Sequence, residues 1–287
     1  MSKTYLGSIR EAKQILKKNQ ISSSKLNAEL LLSYVLNCPK VYLYLNGNKI
    51  LTKEQEKKLN SLIQKRISGK PLQYILGETE FYGLKLEVNK KVLIPRPETE
   101  MLVENVINFF SDKKEKLFII DWGTGSGNIA IALAKNLNCY IYALDVSKPA
   151  LEVAKKNALK NKVSQKIKFG GSNSFQALNK KLYQKIDCLI ANPPYIRENE
   201  FENLPKEIKD FEPKVALLDK KKGLFYHKKI ISEGKDFLKK GGLLALEVAL
   251  GQAQKIVKLI QQNGNYESIK IKKDLSGIER VVLAKRN

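Results

Sequence analysis

The stretch LFIIDWGTGSGNIAIALAKNL, residues 117–137, decides the fold. Its first four residues form an apolar run that, together with Asp121, predicts a buried strand, and the apolar spacing of residues 128–137 predicts a helix. The glycine-rich turn between them would let the backbone approach a ligand closely, with free N–H groups at the start of the helix. Dinucleotide enzymes and simple tight turns share such a turn, so alone it is a weak signal.

The next apolar run, residues 140–144, predicts a second strand that ends at Asp145. A carboxylate at that position can accept hydrogen bonds from both hydroxyls of a ribose, although an acidic residue at a strand end is also common on protein surfaces. The spacing of the turn is G-x-G-x-G and not the G-x-G-x-x-G of NAD sites. These features favour a nucleoside-containing cofactor that lacks a pyrophosphate.

A second motif, Asn192-Pro193-Pro194-Tyr195, follows the strand-like run of residues 186–191. Asn192 offers a side-chain carbonyl as acceptor, and the carbonyl of Pro193 is a second acceptor on a stiff turn without competing N–H donors. Tyr195 adds an aromatic face on which a flat group can lie. Two acceptors and a ring select an amide or an aromatic amine, whereas the tetrapeptide alone would equally suit a polyproline-like loop.

The two motifs together favour a methyltransferase. The tetrapeptide lies 65 residues after Gly127, behind two further strand patterns. S-adenosylmethionine would then bind at the end of the first strand, and the acceptor nitrogen would be held at the end of the fourth.

Composition excludes several other classes of function. A chain of 287 residues can bury a large core, and two domains are expected. It has no signal-like segment and no apolar run near eighteen residues, so we expect a cytoplasmic protein with no membrane contact. Its cysteines lack metal-ligand spacing, and His227 is expected to be an ordinary surface or packing residue, so we expect no metal site. The cysteines are Cys38, Cys139 and Cys188.

The formal net charge of +23 is compatible with nucleic-acid binding. Only six of the 52 basic residues are arginines, however, and the charge is spread over the whole chain. We interpret the charge as a bias of composition, so that nucleic-acid binding is not required.

The first eighty residues have helical rather than strand-like spacing. Thr52 predicts an N-cap with Gln55 at the capping-box position, and Gly69 ends that helix at about Ser68. A third short helix is plausible from Val41 to Leu45. The apolar residues expected to form the core of this helical bundle are Leu6, Ile9, Ala12, Ile15, Leu26, Leu30 and Leu31.

The rest of the chain predicts a doubly wound α/β domain. Residues 81–88 alternate and predict a hairpin strand, and Pro97 suits the first turn of a helix that runs to about Phe110. Strands and helices alternate from there on. The expected domains are a helical domain (1–72), a hairpin linker (73–92) and a catalytic domain (93–287).

With the glycine-rich turn of residues 121–127 and the Asn-Pro-Pro-Tyr tetrapeptide of residues 192–195, the chain resembles the peptide chain release factor glutamine N5-methyltransferases. That family methylates the amide of the Gly-Gly-Gln glutamine in bacterial class 1 release factors. The resemblance implies an amino-terminal domain of five helices that docks the release factor, a hairpin linker, and a Rossmann-like seven-stranded catalytic domain with the last strand antiparallel. It rests on residues 71–77, 81–83, 93–100, 121–127, 192–196, 211–213 with 216–217, 241–242, Glu247 and 277–280.

The resemblance also implies roles for individual residues. Asp145 would be the ribose ligand, and Asn192 to Tyr195 would bind the substrate glutamine, with Asn192, Pro193 and Tyr195 catalytic. The family usually has an acidic residue where Asn173 stands, which implies weaker binding of the cofactor here. It also tends to have glycine where Ala249 stands, an exchange that has no physical explanation in the sequence. The residues implied in cofactor binding are Gly123, Thr124, Gly125, Ser126, Gly127, Asp145, Asn173, Ser174 and Asn192, and those implied in substrate binding are Asn192, Pro193, Pro194 and Tyr195.

Alternatives remain open at this point. An adenine-N6 nucleic acid methyltransferase would use the same tetrapeptide, but only 46 residues separate Tyr195 from Gly241, which leaves little room for a target recognition domain. A methyltransferase of a ribosomal protein glutamine would share the chemistry. A NAD-dependent dehydrogenase or a non-catalytic nucleotide-binding module would leave the tetrapeptide without a role. We expect a monomer whose partner is a release factor.

Overall fold

The computed structural model describes residues 3–171, 175, 178–219 and 223–287. The chain divides into two units by its internal contacts. The first unit comprises Met1–Gly77 together with Pro205–Phe211, and the second comprises Glu78–Leu204 and Glu212–Asn287.

The segment Pro205–Phe211 adds one short helix to the first unit, and the described residues of Met1–Gly77 form five, the number that the resemblance implies. These five are α1 (Tyr5–Lys18), α2 (Ser24–Leu36), α3 (Lys40–Leu45), α4 (Lys53–Ile67) and α5 (Leu72–Leu76). Their core contains Ala28, Leu31 and Leu32, but the expectation for Leu26 was wrong, because its side chain is 41% exposed. Leu26 precedes Ala28 by two positions, which places it on the opposite face of α2.

The capping box predicted at Thr52 is present. The Gln55 N–H donates to the Thr52 hydroxyl over 3.2 Å, and the Thr52 N–H donates to the Gln55 side chain over 2.9 Å. Helix α4 ends at Ile67, and Gly69 follows with φ of +97°. These local contacts satisfy N–H groups that the first turn of a helix otherwise leaves unpaired.

A hairpin begins the second unit. Its strands are β1 (Glu78–Phe81) and β2 (Leu84–Glu87), which pair antiparallel. The alternation of residues 81–88 therefore does not mark one strand, because Tyr82 and Gly83 interrupt it as a tight turn with φ of +51° and +71°. Two adjacent residues with positive φ are typical of the two-residue turns that join antiparallel strands.

A seven-stranded sheet forms the centre of the second unit. Its order is β5-β4-β3-β6-β7-β9-β8, and β9 runs antiparallel to both of its neighbours. The expected doubly wound sheet with an antiparallel last strand is confirmed. The strands are β3 (Leu117–Trp122), β4 (Cys139–Asp145), β5 (Ile167–Gly171), β6 (Ile186–Ala191), β7 (Leu238–Glu247), β8 (Tyr266–Lys273) and β9 (Glu279–Arg286).

Helices cover both faces of this sheet. On one face pack α6 (Pro97–Phe109), α7 (Asn128–Asn136) and α8 (Lys148–Lys160); on the other pack α12 (Phe225–Gly234) and α13 (Ala253–Asn263). Three short helices precede α12: α9 (Glu198–Phe201), α10 (Lys206–Lys209) and α11 (Lys214–Leu217). The strands β4, β3 and β6 are parallel neighbours, so their carboxyl ends meet at one edge of the sheet, where ligands of such folds bind.

Among the described residues, no helix has the length and apolar character needed to cross a membrane. The same residues contain no group of acidic, cysteine and histidine side chains that could hold a metal ion. His227 is a packing residue rather than a surface residue: it is fully buried in α12, and its Nε2 lies 2.8 Å from the carbonyl oxygen of Glu247.

Candidate active site

The glycine-rich turn connects β3 to α7, and hydrogen bonds to β4 and to the end of β3 fix its shape. The N–H groups of Gly123 and Thr124 both donate to the carbonyl of Leu144 at the end of β4, over 2.8 Å each. The Thr124 hydroxyl donates to Asp121 Oδ2 over 2.6 Å. Gly123 and Gly125 have φ of +78° and +54°, values that other residues rarely adopt. The turn is thus fixed in a shape that requires these two glycines.

Gly127 is tightly packed between α7 and α8. A Cβ atom there would lie 3.1 Å from the Ile131 side chain and 3.2 Å from the Cβ of Ala154. Its missing side chain therefore lets α7 and α8 approach each other. Gly127 does not line the neighbouring cleft at the carboxyl ends of the strands. Close packing of this kind is known for the third glycine of nucleotide-binding turns.

An open cleft lies at this edge of the sheet. Its volume is about 890 Å³ when the part that is open to solvent is included. Its walls combine the glycine-rich turn with apolar side chains and a few polar groups. Among the predicted site residues, those that line the cleft are Gly123, Thr124, Gly125, Ser126, Asp145, Asn192 and Pro194. The size and the mixture of surfaces are typical of a site for a small organic molecule.

Asp145 lies at the end of β4 and faces this cleft. Its two carboxylate oxygens accept hydrogen bonds of 2.8 Å from the N–H groups of Gly125 and Ser147. Burial raises the pKa of the carboxyl group, and these backbone donors lower it. Each carboxylate oxygen can accept a further hydrogen bond. The group can therefore bind a ribose hydroxyl while it also fixes the turn.

The cleft fits a nucleoside. The carboxylate of Asp145 suits a diol, and the apolar side chains of Val92, Ile129 and Val146 line the same walls. Asn173 and Ser174, which were predicted to contact the cofactor, lie outside the described residues.

Asn192 follows β6 and takes part in a chain of hydrogen bonds. Its Nδ2 donates to Thr99 Oγ1 over 3.1 Å, and the Thr99 hydroxyl donates to Glu247 Oε2 over 2.7 Å. Thr99 is in the first turn of α6, and Glu247 ends β7. Burial raises the pKa of the Glu247 carboxyl to about 7, and the bond from Thr99 acts in the opposite direction.

Pro193 and Tyr195 lie beside the cleft but are not among the residues that line it. The Pro193 carbonyl accepts no hydrogen bond from any described residue, so it is available as an acceptor. Burial raises the pKa of the Tyr195 hydroxyl to about 12, which keeps it protonated near neutral pH. The carbonyl of Tyr195 accepts a hydrogen bond of 3.4 Å from Gln252 Nε2.

An ion pair supports the part of the cleft wall that contains Arg96 and Pro213. Glu212 is buried, its Oε1 contacts the guanidinium of Arg96, and its Oε2 accepts from the Ile94 N–H over 3.1 Å. Arg96 and Pro213 both line the cleft. The pair therefore joins two parts of the wall that are more than a hundred residues apart in the chain.

Sequence reasoning missed Thr99, Glu247 and Arg96 as site residues. All three lie in segments on which the family resemblance rests, but no local pattern connects them with Asn192. The only available signal was that these segments contain polar residues at an expected strand end and an expected helix start.

Two family descriptions match the chain. Residues 8–77 match the PrmC N-terminal domain, and residues 113–279 match a methyltransferase domain. The second match covers more than half of the chain. The cofactor of this methyltransferase domain is S-adenosylmethionine.

Curated relatives match over most of this chain. A release factor glutamine methyltransferase from Fusobacterium nucleatum is 38% identical over 95% of this chain and 76% of its own length. A release factor glutamine methyltransferase from Bacillus cereus is 36% identical over 89% of this chain and 90% of its own length.

A solved structure has a similar fold. The hMettl16 catalytic domain in complex with MAT2A 3'UTR hairpin 6 aligns with a TM-score of 0.55 and 16% identity, over 83% of this chain and 84% of that chain. At this identity the likeness concerns the fold alone.

Proposed function

The chain belongs to the family of release factor glutamine methyltransferases, and we propose that it methylates the glutamine of the Gly-Gly-Gln motif in class 1 release factors. It is an S-adenosylmethionine-dependent protein-glutamine methyltransferase. The observation that carries the proposal is the pair of carbonyl acceptors on Asn192 and Pro193, next to a cleft that fits a nucleoside.

The proposed chemistry follows from the properties of an amide. Its nitrogen lone pair is delocalised into the carbonyl group, and its N–H groups are too weakly acidic to be deprotonated first near neutral pH. Acceptors on both N–H bonds, Asn192 Oδ1 and the Pro193 carbonyl, would return electron density to the nitrogen and fix its direction of approach. Orientation of this kind supplies up to about 7–11 kcal/mol in ideal intramolecular reactions.

The other residues would bind and position. Asp145 would hold the ribose, and the glycine-rich turn from Gly123 to Ser126 would contact the rest of the cofactor, which supplies an electrophilic methyl group when bound. Tyr195 would stack on the substrate amide as a neutral phenol. The N–H proton would leave to water after the nitrogen has been methylated.

The helical domain is proposed to dock the release factor. A glutamine side chain buries too little surface to select one protein, whereas a second contact raises the effective concentration of the first. Helix α3 exposes Val41, Tyr44 and Leu45 by 61%, 47% and 79%. Clustered exposed apolar side chains are typical of a protein interaction surface.

The activity is tested with labelled S-adenosylmethionine and four samples: release factor, DNA, RNA and buffer alone. Transfer to the factor at the Gly-Gly-Gln glutamine is expected, located by peptide mass spectrometry. Transfer to DNA or RNA alone would instead favour an adenine-N6 enzyme. We further propose that the enzyme acts as a cytoplasmic monomer without a requirement for nucleic acid.

Docking is tested by the double variant Val41→Glu, Leu45→Glu. We expect kcat/KM on intact factor to fall by about tenfold, mainly through KM, with much less change on a Gly-Gly-Gln peptide. Leu275→Glu is the control, because Leu275 is also an exposed apolar residue but lies between β8 and β9. Equal losses on factor and peptide would place the docking surface elsewhere.

A further inference from the structure

A buried carboxylate and a buried hydroxyl stand behind the amide of Asn192. Thr99 is 1% exposed and Glu247 is 3% exposed, and they connect to Asn192 in the order Glu247, Thr99, Asn192. The three residues come from the end of β7, the first turn of α6 and the loop after β6. Neither Thr99 nor Glu247 takes part directly in the proposed methyl transfer.

The number of protons shared by Glu247, Thr99 and Asn192 fixes the direction of the hydrogen bonds between them. An ionised carboxylate can only accept, so the single hydroxyl proton of Thr99 is directed to Glu247. The Thr99 oxygen can then only accept from Asn192, which must turn its NH2 group toward Thr99. The carbonyl oxygen of the amide is left as the end that is free to meet a substrate.

We propose that ionised Glu247, acting through Thr99, is the positioning residue that makes Asn192 present its carbonyl oxygen to the substrate amide. The inference rests on the proposed function only in the identity of that substrate. It assigns a role to two residues that need not touch the substrate.

Protonation of Glu247 would remove the constraint. A protonated carboxyl can donate to Thr99, and the hydroxyl proton of Thr99 then becomes available to the carbonyl oxygen of Asn192. The amide could turn over and present NH2 to the NH2 of the substrate, so that donor would face donor. The fraction of correctly oriented Asn192 therefore depends on the charge of Glu247.

The surroundings allow this titration in the physiological range. The pKa of Glu247 is raised to about 7, because burial and the nearby Glu98 raise it by more than the bonds from Thr99 and Asn192 and the charge of Arg280 lower it. Tyr195 also faces the carboxyl group and stays protonated. His227 approaches the backbone carbonyl of Glu247, and burial lowers the pKa of this imidazole.

Kinetics test the proposal with Thr99→Val, Thr99→Ser and Glu247→Gln. Valine keeps the shape of threonine without the hydroxyl, and we expect kcat to fall by about tenfold or more with KM for the factor nearly unchanged. Thr99→Ser, which restores the hydroxyl, should recover kcat to within about threefold. Circular dichroism and thermal unfolding confirm that each variant is folded.

The pH profile gives a readout that a merely structural role would not change. The wild-type kcat should fall as the pH decreases through about 7, with the slope of a single proton. Glu247→Gln should lower kcat and lose this acidic limb, because it carries no ionisable group. An unchanged midpoint in Glu247→Gln, or full kcat in Thr99→Val, would overturn the proposal.

A measurement without turnover separates this proposal from the proposed function. The side-chain NH2 resonances of Asn192 in the free enzyme, assigned by their absence in Asn192→Asp, should shift with pH with a midpoint near 7. The shift should disappear in Glu247→Gln, and resonances that do not respond to pH in the wild type would contradict the inference. If the resonances titrate but release factor is not methylated, the orientation of Asn192 stands and the substrate assignment fails.

Discussion

Arg66 and Glu207 form an ion pair, with Arg66 Nη2 2.7 Å from Glu207 Oε2, although they lie 141 positions apart. The Arg66 side chain is 7% exposed, and its guanidinium also donates to Asn27 Oδ1 and to the carbonyl of Lys70. Through this pair the segment Pro205–Phe211 packs in the first unit.

The two partners of this pair should respond very differently to substitution. Arg66→Met also leaves Asn27 Oδ1 and the Lys70 carbonyl without the donors that Arg66 supplies, and it should lower the free energy of unfolding by about 2–4 kcal/mol. Glu207→Gln should cost less than about 1 kcal/mol, because the Glu207 side chain is 41% exposed and glutamine still offers an acceptor. Urea unfolding followed by circular dichroism measures both, and equal losses would mean that the ion pair itself, and not the buried hydrogen bonds of Arg66, provides the stability.

Asn192→Ala should remove turnover while the cofactor still binds. The lost acceptor serves the substrate, and preorganised polar groups of this kind contribute about 2.7–4 kcal/mol to the transition state, equal to a loss of roughly 10²–10³ in kcat. Single-turnover assays give the rate, and calorimetry should give a Kd for S-adenosylmethionine within about tenfold of wild type. A variant that keeps more than about a tenth of the wild-type rate would exclude Asn192 as a catalytic residue.

Asp145→Asn should have the opposite effect. The charged acceptor for the ribose is lost, so we expect binding of S-adenosylmethionine to weaken by roughly 1.5–3 kcal/mol, with kcat largely recovered at saturating cofactor. Calorimetry measures the affinity. Unfolding measured in parallel is the control, since Asp145 also accepts from the Gly125 and Ser147 N–H groups. Unchanged affinity would remove Asp145 from the cofactor site.

Asp121 should make the stability of the fold depend on pH. Burial raises the pKa of this carboxyl to about 7 in the folded protein, above its ordinary value near 4. Its contribution to stability is therefore fully present below about pH 4 and is lost as the pH rises through about 7. Asp121→Asn can still accept from Thr124 but carries no charge.

The test compares the urea unfolding of wild type and Asp121→Asn at about pH 5 and pH 8.5. The free energy of unfolding of the variant, relative to that of the wild type, should increase by about 1–3 kcal/mol from the lower to the higher pH. A difference that does not change with pH would show that Asp121 keeps an ordinary pKa in the fold.

The parts of the fold that the sequence predicted are those with a local cause. Strand β3, the turn after it and helix α7 follow from an apolar run, from glycines with positive φ and from helical spacing, all within about twenty residues. The capping box of Thr52 with Gln55 is local in the same sense. The interruption at Tyr82 and Gly83 was missed because Tyr82 continues the apolar alternation and adopts positive φ without being glycine.

The parts of the site that were missed depend on contacts between distant segments. Thr99 and Glu247 are 148 positions apart and meet only because α6 packs beside the end of β7. Asn192 and Asp145 could be singled out because each follows a recognisable strand. The partners that orient their polar groups have no signal of their own, since a threonine in a first helical turn reads as ordinary helix chemistry.

The segment Pro205–Phe211 has a consequence for the order of synthesis. When the chain is synthesised from its amino terminus, the five helices are made first, but Glu207 follows only roughly 130 residues later, a delay of roughly 6–26 s at about 5–20 residues per second. Over that interval Arg66 has no carboxylate partner, while strands β3 to β6 leave the ribosome. The nascent helical unit is therefore completed only after the central strands of the catalytic sheet have been made.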